Sequence, residues 1–226
     1  MTVMTKIKTY GTTILLLLVL CAQAQTSDFG TWVNAGFTRE QTKKIDISGS
    51  IEARMHENAT RLDVAFGELS ASYKLVKRIA VELAYRGIVS YDVADGYLPE
   101  HRFFIALAAN MKKENFKITY KCRFQKKFTK TYKEGLGETD NTLRNKLSVK
   151  YLMTGTPYRP FVGFELFNPI EHNRLSFCNK LRSQLGLEYL ITSKYSLSVF
   201  YLNQREFNVK NPQMLNVVGI GFEAEL

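Results

Sequence analysis

Outside its first 24 residues, the sequence lacks any apolar run long enough to cross a membrane as an α-helix. Such a helix needs about 20 consecutive apolar residues. Backbone groups within lipid must be hydrogen-bonded inside a helix or a closed sheet. If this chain inserts into a membrane, it must therefore do so as a β-barrel.

Proline, cysteine and histidine are also scarce, with 5, 3 and 3 residues respectively. The prolines lie in predicted connections or at the first residue of a predicted strand, where a missing backbone donor is tolerated. Cys122 lies in the middle of a predicted strand, so we expect no disulfide with Cys178, although an exported protein permits one. The three histidines have no metal-ligand spacing, so we expect neither a metal site nor a cofactor. They are His56, His101 and His172.

The N-terminal segment has the organisation of a cleaved secretory signal. Two lysines precede an apolar segment at residues 14–20, and the sequence Ala-Gln-Ala follows at residues 22–24. The apolar segment is too short to anchor the chain in a bilayer. We therefore predict a signal peptide at residues 1–24 and an outer-membrane β-barrel domain at residues 25–226.

Eleven segments after the signal, each about ten residues long, alternate apolar and polar side chains. In residues 116–124, every second side chain is apolar and most of those between are cationic. A strand has a side-chain period of two, so this pattern predicts one apolar face and one polar face. The predicted strands are residues 29–38, 44–55, 62–75, 79–89, 102–112, 116–127, 143–152, 160–167, 179–191, 195–207 and 214–226.

This repetition predicts an all-β, antiparallel, up-and-down transmembrane β-barrel. Single-chain bacterial barrels have even strand numbers, so we predict about 12 strands, with 10 as the alternative. A break in the apolar period at Gly67 predicts a β-bulge there. The longer connections, at residues 90–101, 128–142 and 168–178, are predicted external loops, with short turns on the periplasmic side.

Several short motifs resemble a family of bacterial outer-membrane barrels known only as a domain of unknown function. The resemblance covers nearly all of the chain after the signal. It implies a single barrel domain and supplies no catalytic residues. The motifs are Phe29-Gly30-Thr31-Trp32, Ser72-Tyr73-Lys74-Leu75, His101-Arg102-Phe103, Leu143-Arg144-Asn145-Lys146-Leu147, residues 158–168 and Val218-Gly219-Ile220-Gly221-Phe222.

The formal net charge is +10, or +8 without the two signal-peptide lysines Lys6 and Lys8, and cations cluster on the polar faces of a few predicted strands. If the apolar faces contact lipid, these cations point into the lumen and favour a narrow, anion-preferring pore. The alternative is a plugged structural barrel in which the cations pair with carboxylates, because 10 to 12 strands enclose little space. The candidate lumen-facing cations are Lys117, Lys121, Arg123, Lys127, Arg144, Lys146, Lys150, Lys180 and Arg182.

Two other functions remain open from the sequence. Glu171, His172 and Ser176 could form a hydrolase site that modifies outer-membrane lipid, but such residues are common in loops, so we expect no catalytic site. A soluble periplasmic, lipocalin-like barrel would bury its apolar faces around a ligand. We expect outer-membrane lipid and the barrel-assembly machinery as partners, and no nucleic acid despite the basic charge. The sequence names no solute and no oligomeric state.

Overall fold

The computed structural model of the protein describes residues 26–131, 135–171 and 174–226. The predicted signal peptide and His172 lie outside these residues. Within them the chain forms twelve strands and no helix, and so no helix that could cross a membrane. The strands are β1 (Thr26–Thr42), β2 (Ile45–His56), β3 (Arg61–Val76), β4 (Ile79–Asp92), β5 (Gly96–Lys113), β6 (Phe116–Thr131), β7 (Gly135–Tyr151), β8 (Tyr158–Glu171), β9 (Arg174–Leu175), β10 (Lys180–Leu190), β11 (Tyr195–Glu206) and β12 (Gln213–Glu225).

Eleven of these strands form a closed barrel. Neighbouring strands pair antiparallel in chain order, and β10 continues the wall by pairing with both β8 and β11. The two-residue strand β9 only extends the end of β8. The barrel closes where β1 pairs parallel with β12.

The parallel closure follows from the odd number of strands in the wall. Chain direction reverses at each hairpin, so the first and last strands of an odd series run the same way. The predicted total of about twelve strands and the up-and-down topology are confirmed, but the twelfth strand is β9. The expected even-numbered wall is not observed. The wall has eleven strands, so its seam is parallel and not antiparallel, as it would be with an even number.

The β1–β12 seam is reinforced by an apolar cluster on its inner side. The cluster comprises Trp32, Phe200, Leu202, Leu215 and Val217, and Val217 has no solvent exposure. Burying a large apolar side chain contributes about 1.5–3 kcal/mol, so the cluster stabilises the closure substantially.

Two inward-facing glycines make room for aromatic rings beside this cluster. A Cβ at Gly219 would overlap the ring of Phe200, and a Cβ at Gly186 would overlap the ring of Phe161. Glycine is therefore required at both positions by the close approach of these rings.

The outer surface of the barrel is apolar and its interior is charged. Inward-facing polar residues, among them Arg86, Glu100, Gln125 and Arg144, are buried. A soluble lipocalin-like barrel would have the opposite sidedness, whereas a lipid-facing barrel has an apolar outer band. Exposed apolar side chains around the wall include Val33, Ile51, Leu69, Leu83, Ile105, Leu107, Tyr120, Leu147, Leu185, Val199 and Ile220.

One end of the barrel, which we call the turn end, carries the connections at residues 43–44, 77–78, 114–115, 152–157 and 191–194. The opposite end is called the far end. Pairs of aromatic rings lie on adjacent strands close to the turn end, as in the aromatic belts of outer-membrane barrels. These pairs are Phe116–Tyr151 (ring centroids 5.0 Å apart), Tyr158–Tyr189 (5.4 Å) and Tyr195–Phe222 (6.0 Å).

Two details of the predicted strands are wrong. Much of the predicted long loops is paired strand, because β5 and β6 continue towards the far end for 18 and 16 residues in all. The register of β3 has no bulge at Gly67 and shifts nearer its start, opposite Arg54. The apolar period breaks because Phe66 faces inward, where it packs against the guanidinium of Arg86.

A charge introduced on the outer face should destabilise the barrel, and a charge introduced on the adjacent inner position should not. Leu69 is exposed at the middle of β3, and Ser70 faces inward near Glu68. We expect Leu69→Arg to lower the free energy of unfolding in phospholipid vesicles by about 2–4 kcal/mol. Urea titration of the folded fraction measures this, with Ser70→Arg as the matched control. Equal losses in the two variants would contradict the assigned faces.

Candidate functional site

The barrel encloses a cavity of about 590 Å³ that extends from its middle towards the turn end. Lys117 and Lys150, which line its outer part, are each one residue from the turn-end limit of their strand. Trp32 and Arg86 line its inner part. The cavity therefore lies in the half of the barrel nearer the turn end.

Three pairs of like-charged residues face each other across β6 and β7. They are Lys117 opposite Lys150, Lys121 opposite Lys146 and Arg123 opposite Arg144, and all six line the cavity. We call these six residues the cationic ladder. Like charges directly opposite each other destabilise a sheet, so the ladder requires compensating negative charge.

Glutamates from strands on either side of β6 and β7 compensate four cations of the ladder. Glu82 comes from β4, Glu165 from β8 and Glu188 from β10. Each carboxylate therefore reaches the ladder from one of its two sides. The ion pairs are Lys121–Glu82 (2.7 Å), Arg123–Glu82 (3.2 Å), Arg144–Glu165 (2.7 Å) and Lys150–Glu188.

The other two cations of the ladder, Lys117 and Lys146, have no ion pair within the described residues. Both are exposed to solvent although they face the interior, so the cavity is open to water at these positions. The cavity lining contains nine cationic and four acidic side chains. Glu68 and Glu82 also contact lining cations, which still leaves positive charge in excess.

The inner boundary of the cavity is a ring of arginines and aromatic residues, which we call the girdle. Its guanidinium carbons lie 3.9 to 5.2 Å from the centroids of neighbouring aromatic rings. Such stacking is favourable because a cation is attracted to the electron-rich face of a ring. The girdle comprises Trp32, Arg54, Phe66, Arg86, Phe104, Arg123, Arg144, Phe167 and Arg182, in order of strands β1 to β8 and then β10.

The girdle narrows the lumen at the middle of the barrel. Buried apolar residues lie on its far-end side, including Ile88, Leu98 and Leu215. Each girdle strand contributes one side chain, and the closed wall holds them in one belt. The girdle therefore lies between the charged cavity and these buried apolar residues.

Seven of the nine predicted lumen-facing cations line the cavity. The other two lie nearer the far end: Lys127 pairs with Asp140 at 2.7 Å, and Lys180 pairs with Glu206 at 2.9 Å. The seven in the cavity lining are Lys117, Lys121, Arg123, Arg144, Lys146, Lys150 and Arg182.

Sequence reasoning missed the part that Arg54, Arg86 and their aromatic partners play in the girdle. The sequence did contain a signal for the girdle: Phe66 is an aromatic residue at a position where the alternation of the strand predicts a polar, inward-facing side chain. An inward-facing aromatic residue next to arginines on adjacent strands is the pattern that would have identified the girdle.

The two histidines of the described residues lie on different strands and do not share a site. His56 contacts Asp63 at 3.1 Å, whereas Nδ1 of His101 lies 2.7 Å from the hydroxyl of Tyr85 on the outer face. His172, the base of the hypothetical hydrolase set, lies outside the described residues. Within those residues no group of three or more His, Cys, Asp or Glu side chains could hold a metal ion.

The fold and its sidedness define a transmembrane β-barrel with a charged interior. Residues 29–215 match the family described as "Protein of unknown function (DUF2490)", and the chain belongs to this family. No curated protein matches it in sequence.

Three solved barrels illustrate the structural similarity. The NanC porin has a TM-score of 0.49 at 13% identity, over 82% of this chain and 93% of the porin. The β domain of the Bordetella autotransporter BrkA has a TM-score of 0.45 at 8% identity, over 78% and 82% of the two chains. OccK5 (OpdH) of Pseudomonas aeruginosa has a TM-score of 0.39 at 11% identity, over 79% and 56%.

Removing a carboxylate that pairs with a girdle arginine should cost more stability than removing an exposed carboxylate nearer the far end. The side chain of Glu165 is 12% exposed and contacts Arg144, whereas that of Asp140 is 53% exposed. We expect Glu165→Gln to lower the free energy of unfolding by about 3 kcal/mol, because it leaves a largely buried cation unpaired. Asp140→Asn should cost less than about 1 kcal/mol. Urea unfolding in vesicles compares the two free energies of unfolding. Equal losses would show that the girdle arginines do not depend on their paired carboxylate.

Proposed function

We propose that the protein is an outer-membrane β-barrel that forms a narrow, anion-preferring passage. Residues 1–24 would export it and the barrel-assembly machinery would insert it into outer-membrane lipid. The observation that carries the proposal is the cationic ladder, in which six cations of two adjacent strands face one cavity. Fixed cations in a confined passage raise the local concentration of anions. The proposed activity is transport or retention of anions, not catalysis.

The turn end would face the periplasm. Outer-membrane barrels carry their short connections on that side, and this chain has two-residue turns at 43–44, 77–78 and 114–115. The cavity would then open towards the periplasm and the girdle would separate it from the cell exterior.

A plugged structural barrel is the second candidate, and the girdle favours it. Phe104 and Phe167 are buried, and the side chains of Arg86 and Arg144 are only 11% and 10% exposed. A ring packed to this degree limits the passage to small ions or closes it. Conductance measurements separate the two candidates.

Purified protein in a planar bilayer should show a reversal potential shifted towards the equilibrium potential of the anion under a salt gradient. We expect the triple variant Lys121→Glu, Arg123→Glu and Lys146→Glu to reverse this preference. The formal charge of the ladder together with Glu82, Glu165 and Glu188 is +3, and the variant changes it to −3. The shift should diminish as rising salt screens the fixed charges. The single variant Lys146→Glu should weaken the preference without breaking any ion pair of the described residues.

The matched control changes three exposed cations outside the cavity, with Lys126, Arg205 and Lys210 each replaced by Glu. Its net charge equals that of the triple variant, and its anion preference should remain. Cation preference in the unmodified protein would contradict the proposal. Absence of conductance in a correctly folded preparation would favour the plugged structural barrel.

A further inference from the structure

The part of the ladder nearest the turn end combines four lysines with two hydroxyl groups. Thr119 and Ser148 are directly opposite each other, between the Lys117–Lys150 pair and the Lys121–Lys146 pair. Successive residues of a strand are about 3.3 Å apart, so each lysine pair starts about 7 Å from the hydroxyl pair along the strands. Flexible lysine side chains can span that distance and converge on an anion held at the hydroxyl groups.

Two of the four lysines are available for such an anion. Lys121 and Lys150 contact Glu82 and Glu188, which approach from opposite sides of the ladder. The remaining two lysines, Lys117 and Lys146, have no ion pair within the described residues and are exposed in the cavity. They occupy diagonal corners around the hydroxyl pair, so a ligand between them would contact both strands.

Gly163 provides space beside the hydroxyl pair. It is the β8 neighbour of Ser148, is buried and lines the cavity. A Cβ added there would lie 3.8 Å from the Ser148 hydroxyl, from Oε1 of Gln184 and from the backbone oxygen of Leu147, so it would fit without overlap. The absence of a side chain at Gly163 therefore leaves a recess bordered by a hydroxyl and an amide, independently of the charges.

We propose that this recess and the two free lysines form a binding site for a dianionic phosphate group, either inorganic phosphate or a soluble phosphate monoester. Glu165 is opposite Lys146 in register, but its ion pairs are with Arg144 and Arg182. Two ammonium groups without an ion pair of their own match a dianion better than chloride or a monocarboxylate. A phosphate group also offers three acceptor oxygens, enough for both ammonium groups and a hydroxyl of the Thr119–Ser148 pair. The barrel wall separates the site from lipid, so the ligand is a soluble one.

This inference rests on the proposed function, because it names the anion class that the same cavity would accept. Its test is calorimetric titration of the full chain in detergent with inorganic phosphate at constant chloride. We expect saturable binding that Lys117→Gln and Lys146→Gln each weaken on the order of tenfold, as for loss of one charge-assisted hydrogen bond. Lys126→Gln, on the outer surface, should leave binding unchanged.

Gly163→Val tests the recess without altering any charge. It should weaken phosphate binding at least as much as the lysine variants, while the reversal potential in chloride stays anion-preferring. Absence of saturable phosphate binding, or binding insensitive to both Lys146→Gln and Gly163→Val, would overturn the inference. If conductance is anion-preferring without phosphate binding, only this inference fails. If phosphate binds but no conductance appears, the proposed passage is contradicted, whereas the phosphate-binding site is supported.

Discussion

Closure of the hydrogen-bonded sheet is the constraint on which the rest of the structure depends. An open sheet edge within lipid would leave unpaired backbone groups, each costing several kcal/mol. With eleven wall strands, closure requires β1 and β12 to pair in parallel, and their register runs from Thr26–Gln213 to Thr38–Glu225. The apolar cluster around Val217 packs against this seam from inside. Once the wall is closed, the period of two directs apolar side chains to lipid and polar ones to the lumen.

The charged interior follows from the same alternation, which directs every second side chain of each strand into the barrel. Inward positions near Glu82 and Glu165 must be filled, and cations there are stable only when carboxylates or aromatic faces compensate them. In the girdle, stacking on aromatic rings compensates the arginines. In the ladder, ion pairs compensate only four of the six cations. Excess positive charge therefore remains where the cavity is open to water, at Lys117 and Lys146. A functional site in this barrel is a place where the interior is incompletely neutralised.

The sequence was sufficient for the barrel class, the wall segments and the cationic strands, because all three depend on local periodicity. The seam direction was missed because the eleven segments visible in the sequence were adjusted to an even number, as is usual for single-chain bacterial barrels. Regions such as residues 90–101 were predicted as loops because a membrane-spanning strand needs only about 9–11 residues. The 18-residue β5 continues into water, where its sequence becomes polar. Lys121 and Glu82 are 39 residues apart in the sequence, so their ion pair could be recognised only once the register of the strands was known.

Cysteine cross-linking across the seam tests the central claim most directly. In the parallel register, Val33 is the partner of Ile220 and Ala35 is the partner of Phe222, all on the outer face. In a chain without its native cysteines, Cys pairs at 33/220 and at 35/222 should both oxidise to disulfides. The crossed pairs, 33/222 and 35/220, should not, because their Cα atoms are offset by two residues and lie beyond disulfide reach. Cross-linking of the crossed pairs instead would show antiparallel closure and contradict the eleven-stranded barrel.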